Sequence, residues 1–270
     1  MAGPPDDSPL GPETVAFYQA AMGALREAGV RFLVGGAYAY GPYTGIERHT
    51  KDLDLFVLPE DGGRALDVLA RAGYRSELNF PHWLGKAWKG DDFVDVIFSS
   101  GSGVAVVDEA WFAHSVAARV FDTDVRLIPV EEMIWSKAFV MERERYDGND
   151  VIHLLRARGP DLDWPRLVDR FGEHWRVLLA HLVLFGFVYP AERTRVPAVV
   201  MDDLLRRLAE ETAQVPPPGR VCQGTLLSRA QYLVDIGVWG YRDARRAPDV
   251  RMNTQDIARW TRGIAEDGSP

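Results

Sequence analysis

The stretch Lys51-Asp52-Leu53-Asp54-Leu55-Phe56-Val57, downstream of Gly35-Gly36, sets two carboxylates two residues apart in an otherwise apolar run. Successive side chains of a strand point to opposite faces, so Asp52, Asp54 and Phe56 share one face and Leu53, Leu55 and Val57 the other. A second apolar run, Phe93-Val94-Asp95-Val96-Ile97-Phe98, carries one more acid at its centre. Three carboxylates crowded onto one sheet face need a divalent cation, a basic partner or solvent to compensate them. A metal ion is the simplest of these.

Working outward, Val15, Phe17, Tyr18, Ala21, Met22 and Leu25 recur at helical spacing and predict a first helix over 13–28, stopped by Gly29. Residues 31–34 read as a short buried strand ending at Gly35-Gly36, a second helix begins at 37–40, and a loop over 41–51 leads into the acidic strand. A helix over 62–72, a strand near 74–78 and two strands joined at Gly90-Asp91, a hairpin signal, follow. A short helix and two short strands carry the chain to Ile128. Beyond Pro129 the periodicity becomes helical, with helices expected over 130–145, 149–158, 164–171, 173–189, 198–213, 225–238 and 254–265. The expected organisation is a flexible tail over 1–12, an α/β domain with a mixed sheet over 13–129 and an all-helical C-terminal domain over 130–270.

Composition narrows the class. The chain has 270 residues, 47% of them hydrophobic, with one cysteine and a net charge of −8. Such a chain buries a substantial core, and a lone Cys222 forms no disulfide framework or cysteine-rich zinc site. The acidic balance disfavours an extended nucleic-acid surface, whose affinity comes from phosphate neutralisation. The first residues lack a basic and apolar leader, and no apolar run approaches the length that spans a bilayer, so the expectation is a cytoplasmic protein without a membrane partner.

The acidic strands and the Gly-Gly turn are suited to metal-assisted nucleotidyl transfer. Magnesium takes hard oxygen ligands, commonly one or two carboxylates plus substrate phosphates, which Asp52 and Asp54 supply as a pair. Asp95 would serve the metal nearest the incoming hydroxyl. Gly35 and Gly36 allow close approach of the backbone to a triphosphate, and the N–H groups of the helix they open favour its negative charge.

Gly-Gly, a loop, Asp-x-Asp in a strand and a third Asp in a later strand together resemble the DNA polymerase β-like nucleotidyltransferases. The lead-in Glu47-Arg48-His49-Thr50-Lys51 is similar to that of minimal, abortive-infection-type members. Trp135-Ser136-Lys137-Ala138-Phe139 with the Arg- and Asp-rich segment 143–150 is similar to the helix that follows the catalytic sheet there. The resemblance implies a mixed sheet of about five strands and dependence on Mg²⁺ or Mn²⁺. It also implies transfer of a nucleoside monophosphate from an NTP such as ATP to an acceptor hydroxyl, with release of pyrophosphate. Asp52, Asp54 and Asp95 would be the catalytic metal ligands. Gly35, Gly36, Arg48, Thr50, Lys51 and Lys137 would contact the nucleotide. The acceptor, a small molecule, an RNA end or a protein, does not follow from the resemblance. A catalytically silent nucleotide-binding or protein-interaction module of the same fold is the alternative.

Structural readings stand beside these. Lys137 is equally read as a solvent-reaching helix side chain, and Asp147 and Asp150 as a helix-capping pair. His174 and His181 lack the four-residue spacing of a helical zinc pair and are read as structural, whereas His49 directly precedes the acids. There is no Gly-x-Ser-x-Gly elbow and no phosphate-loop Gly-Lys-Ser/Thr sequence.

Overall fold

The computed structural model describes residues 10–48, 50 and 52–267, with side chains described as far as residue 262. The expected tail therefore falls largely outside the described residues, as do His49 and Lys51. The chain divides into two compact units between Pro129 and Val130.

The first unit contains α1 (Pro12–Glu27), β1 (Leu33–Val34), α2 (Gly36–Thr44), β2 (Asp52–Phe56), α3 (Gly62–Arg71) and β3 (Arg75–Phe80). It continues with β4 (Leu84–Lys89), β5 (Asp92–Ile97), α4 (Glu109–Ala113), β6 (Val116–Val120) and β7 (Thr123–Leu127). The seven strands form one mixed sheet in the order β3-β4-β5-β2-β1-β7-β6. The sheet is larger than the resemblance implies because β3 and the β6–β7 hairpin extend its two edges. At its centre β2 runs parallel to β5, with Asp54 level with Asp95.

Alternation along these strands divides the sheet into two chemically different faces. Leu53, Leu55, Val94, Val96 and Ala87 are fully buried on one face. A Cβ at Gly85 would meet Leu66 at 2.5 Å, so the glycine on this face admits α3 against the sheet. Tyr18, Ala21, Met22 and Leu25 of α1 bury the same kind of apolar stripe. The other face carries Asp52, Asp54 and Asp95.

α2 runs further than its sequence suggests, through Pro42, and stops at Gly45 (φ +73), whose N–H bonds the Gly41 carbonyl at 2.8 Å. Packing outweighs the proline: Ala39, Tyr40 and Tyr43 are buried, and the Tyr43 hydroxyl donates to the Ile128 carbonyl at 2.7 Å.

The second unit contains α5 (Val130–Ala138), α6 (Gly148–Arg158), α7 (Trp164–Phe171), α8 (Trp175–Val188), α9 (Ala198–Thr212), β8 (Val221–Cys222), α10 (Leu233–Gly237), β9 (Arg242–Asp243) and α11 (Thr254–Asp267). It is helical, with a small parallel pairing of β8 and β9. α5 ends seven residues before its expected limit at Arg145. The chain instead turns back on itself, with Met141 bridging Tyr146 and the Glu142 N–H bonding the Arg145 carbonyl at 2.8 Å. The single helix expected over 225–238 is also broken. Ser228 interrupts it, its hydroxyl donating to Glu142 and accepting from the Gln231 N–H.

By length and composition alone the run Trp164–Val188, whose most apolar 18 residues have a mean hydropathy of 1.2, would reach across a bilayer, contrary to the sequence expectation. Gly172 at φ +47 interrupts it between α7 and α8. Leu167, Phe171, Leu178, Leu182 and Phe185 form the core of the unit.

Candidate active site

The three carboxylates converge because β2 and β5 are parallel neighbours in register. Oxygens of Asp52, Asp54 and Asp95 lie within 4.8 Å of one another. Asp52 and Asp54 are partly buried and Asp95 is buried. Burial pushes the Asp95 carboxyl above the usual carboxylate range, with the Asp52 charge acting in the same direction and Lys86 opposing it.

The Gly-Gly turn is built against this face. The Gly35 N–H bonds the Asp54 carbonyl at 3.0 Å, tying the start of α2 to β2. A Cβ at Gly35 would strike the Phe56 ring at 2.2 Å, and one at Gly36 would come within 1.9 Å of Asp54 Oδ2. Gly36 also has φ +54, in the left-handed region. Only glycine brings the N-terminus of α2 onto the carboxylate without displacing it. The first-turn N–H groups of that helix form a site that favours phosphate.

These residues fit a hard divalent cation. The donors are all carboxylate oxygens, brought within 4.8 Å of one another. The missing side chain at Gly36 keeps the space over Asp54 Oδ2 open.

A basic group absent from the sequence reading completes the site. Lys86 of β4 pairs with Asp95 across the β4–β5 ladder, its Nζ 2.8 Å from Oδ1 and donating to Oδ2 at 3.2 Å. The hairpin signal contained this pairing: counting outward from a turn at Gly90-Asp91 matches Lys89 with Asp92 and then Lys86 with Asp95. Tyr38 was also missed. Its hydroxyl donates to the Thr50 carbonyl at 2.9 Å, and burial, then the Asp52 and Asp54 charges, push it well above the usual tyrosine range.

The other sequence-predicted residues take varied positions. The Thr50 hydroxyl accepts from the Asp52 N–H at 3.4 Å, and the exposed Arg48 guanidinium lies 4.4 Å from the Tyr40 ring centre. Lys51, together with His49, lies outside the described residues. Lys137 belongs to the helical unit, where its ammonium bonds Asp147 at 3.1 Å and Asp150 at 2.8 Å. Asp147 stands at the N-cap position of α6 but makes no capping bond, because its carboxylate is drawn to Lys137 and Arg145. His181 is a structural histidine, as expected: it is buried, with Nε2 3.0 Å from the Ala138 carbonyl oxygen.

Residues 18–193 match a family described as uncharacterised nucleotidyltransferases, over more than half of the chain. The chain belongs to this family. It is therefore a nucleotidyltransferase, and the match spans the sheet with its acids and continues into the helical unit. No curated protein matches the chain significantly.

Among solved structures, an antigenic nucleotidyltransferase-like protein from Paracoccidioides brasiliensis is similar at 14% identity. The match covers 70% of this chain and 96% of that one, with a TM-score of 0.44. The antibiotic-resistance factor ANT(2'')-Ia is similar at 20% identity over 74% of this chain and 96% of its own, with a TM-score of 0.39. The lincosamide antibiotic adenylyltransferase LnuA, solved with lincomycin bound, is similar at 14% identity over 54% of this chain and 98% of its own, with a TM-score of 0.38.

Proposed function

We propose that this nucleotidyltransferase moves a nucleoside monophosphate from an NTP to a hydroxyl of a small-molecule acceptor, releasing pyrophosphate, with metal held on the face that Asp52, Asp54 and Asp95 share. The observation that carries this reading is the convergence of the three carboxylates beside the Gly36 turn. Bound there, Mg²⁺ would neutralise phosphate charge and polarise the α-phosphorus for attack.

The chain's own residues would do the rest. Asp52 and Asp54 would hold the cation, and the amides following Gly35 and Gly36 would receive the triphosphate. Thr50, Arg48 and Lys51 precede β2 and would contact the nucleotide from that end. Asp95 would face the incoming acceptor hydroxyl. The acceptor oxygen forms a bond to the α-phosphorus, the bond from that phosphorus to the bridging oxygen breaks, and pyrophosphate departs with the electron pair. The hydroxyl proton passes to solvent. A small acceptor accords with the net charge of −8, which repels an extended polyanion.

The test is pyrophosphate release from each of the four NTPs with Mg²⁺, with and without a deproteinised cell extract as a source of acceptors. The wild-type chain is compared with Asp54→Asn. Release that requires Mg²⁺ and Asp54 is expected. Equal release by a folded Asp54→Asn chain would overturn the assignment.

A further inference from the structure

The proposed reaction leaves open which cation faces Asp95. Two-metal sites place their ions about 3.5–4 Å apart, each against a carboxylate oxygen. In this protein the position against Asp95 is held by a side chain. Lys86 Nζ lies 2.8 Å from Oδ1 and 3.2 Å from Oδ2, so both oxygens face one ammonium.

The lysine is fixed from several directions. It is the direct cross-strand partner of Asp95. Its ammonium sits 4.3 Å from the centre of the Phe93 ring, on the same face of β5. The Lys86 and Asp95 side chains are only 25% and 12% exposed, so solvent screens the pair weakly. A divalent ion binding Oδ1 at the roughly 2.1 Å that Mg²⁺ requires would share that oxygen with a fixed ammonium and be repelled by its charge.

We propose that Lys86 is the resident cation of the acceptor side. It reserves Asp95, so that the site loads a single divalent ion, at Asp52 and Asp54, and a fixed positive charge stands where a second ion would bind. The inference rests on the reading that Asp52 and Asp54 hold metal. Lys86 is then a residue that sets metal stoichiometry, and the charge it supplies does not depend on the free metal concentration.

The experiment counts bound ions directly. Mn²⁺ alone is titrated into the protein and free Mn²⁺ is read by electron paramagnetic resonance, with circular dichroism confirming the fold of each variant. The wild-type chain is expected to bind one ion, Lys86→Met and Lys86→Gln two, and Lys86→Arg one, because the guanidinium restores the fixed charge. Gln keeps much of the length and a donor, so it stands in if Met does not fold. Two ions in the wild-type chain, or one in both neutral variants, would overturn the inference while leaving the proposed reaction intact. If Asp52→Asn and Asp54→Asn bind the same single ion as the wild-type chain, or the wild-type chain binds none, the metal reading itself fails and the inference with it.

Discussion

The two units bury their charges in opposite ways. In the helical unit the buried acids Glu131, Glu132 and Asp147 are met by basic groups. Arg166 bonds both Glu131 and Glu132, Arg170 Nε reaches Glu132 at 2.9 Å, and Lys137 and Arg145 converge on Asp147. In the sheet unit three carboxylates face one another within 4.8 Å, and Lys86 is directed at one of them. A salt-bridged acid is already compensated and serves the fold. Acids packed against acids repel one another, and a metal ion held there, as proposed, would relieve that repulsion. The contrast assigns chemistry to the sheet and rigidity to the ion clusters of the helices.

Substitutions in each unit test this division. The largest expected effect is at the acids themselves. Asp52→Asn or Asp54→Asn should lower pyrophosphate release by about 10³-fold, since metal-centred charge stabilisation is worth several kcal/mol and each 1.36 kcal/mol is tenfold in rate. The melting temperature should be unchanged or raised.

Glu132→Ala should do the reverse. Glu132 is fully buried, and removing it breaks its buried ion pairs with Arg166 and Arg170, at a cost of about 3–5 kcal/mol measured by urea denaturation. Residual folded enzyme should keep its rate.

Gly36→Ala falls between the two classes. The left-handed φ costs about 1–2 kcal/mol, and the new methyl pushes on Asp54 Oδ2. Calorimetry should show a modest loss of stability with weakened Mn²⁺ binding.

The pH dependence is smaller and has a fixed sign. Burial alone would raise the Asp147 carboxyl, but the bonds from Arg145 and Lys137 outweigh it and hold it below the ordinary aspartate value of 3.8. Its stabilising contribution is therefore complete above that value and is lost as pH falls through the depressed one. Denaturation curves of wild type and Asp147→Asn should differ at neutral pH and converge in acid. The smallest effect belongs to the exposed Arg31–Glu109 pair, where Arg31→Ala should leave the melting temperature unmoved.

Much of the sheet and its acids was legible in the sequence, because strand alternation and the Asp-x-Asp spacing are local patterns. The parallel register that levels Asp54 with Asp95 was not, since it depends on a crossover between distant strands. Lys86 was legible only through the hairpin count, an inference from turn geometry rather than from residue type. The early end of α5 was hidden because Val130 to Arg145 is helical by propensity. The turn at Glu142–Arg145 and the attraction of Lys137 to Asp147 and Asp150 are tertiary. A lysine among aromatics on a helix after the sheet reads alike whether its partner is a nucleotide or two aspartates. Glu131 and Glu132 lie in the first turn of α5, where acids suit the helix dipole, and there they hold Arg166 and Arg170.

The most direct test of the division between chemistry and rigidity compares Asp54→Asn with Lys137→Met, each measured for thermal unfolding and for Mg²⁺-dependent pyrophosphate release at a temperature where both are folded. The account predicts that Asp54→Asn loses turnover and keeps its melting temperature, while Lys137→Met melts lower and keeps its turnover. A Lys137→Met chain that is folded, stable and inactive would contradict it, and would return Lys137 to the triphosphate.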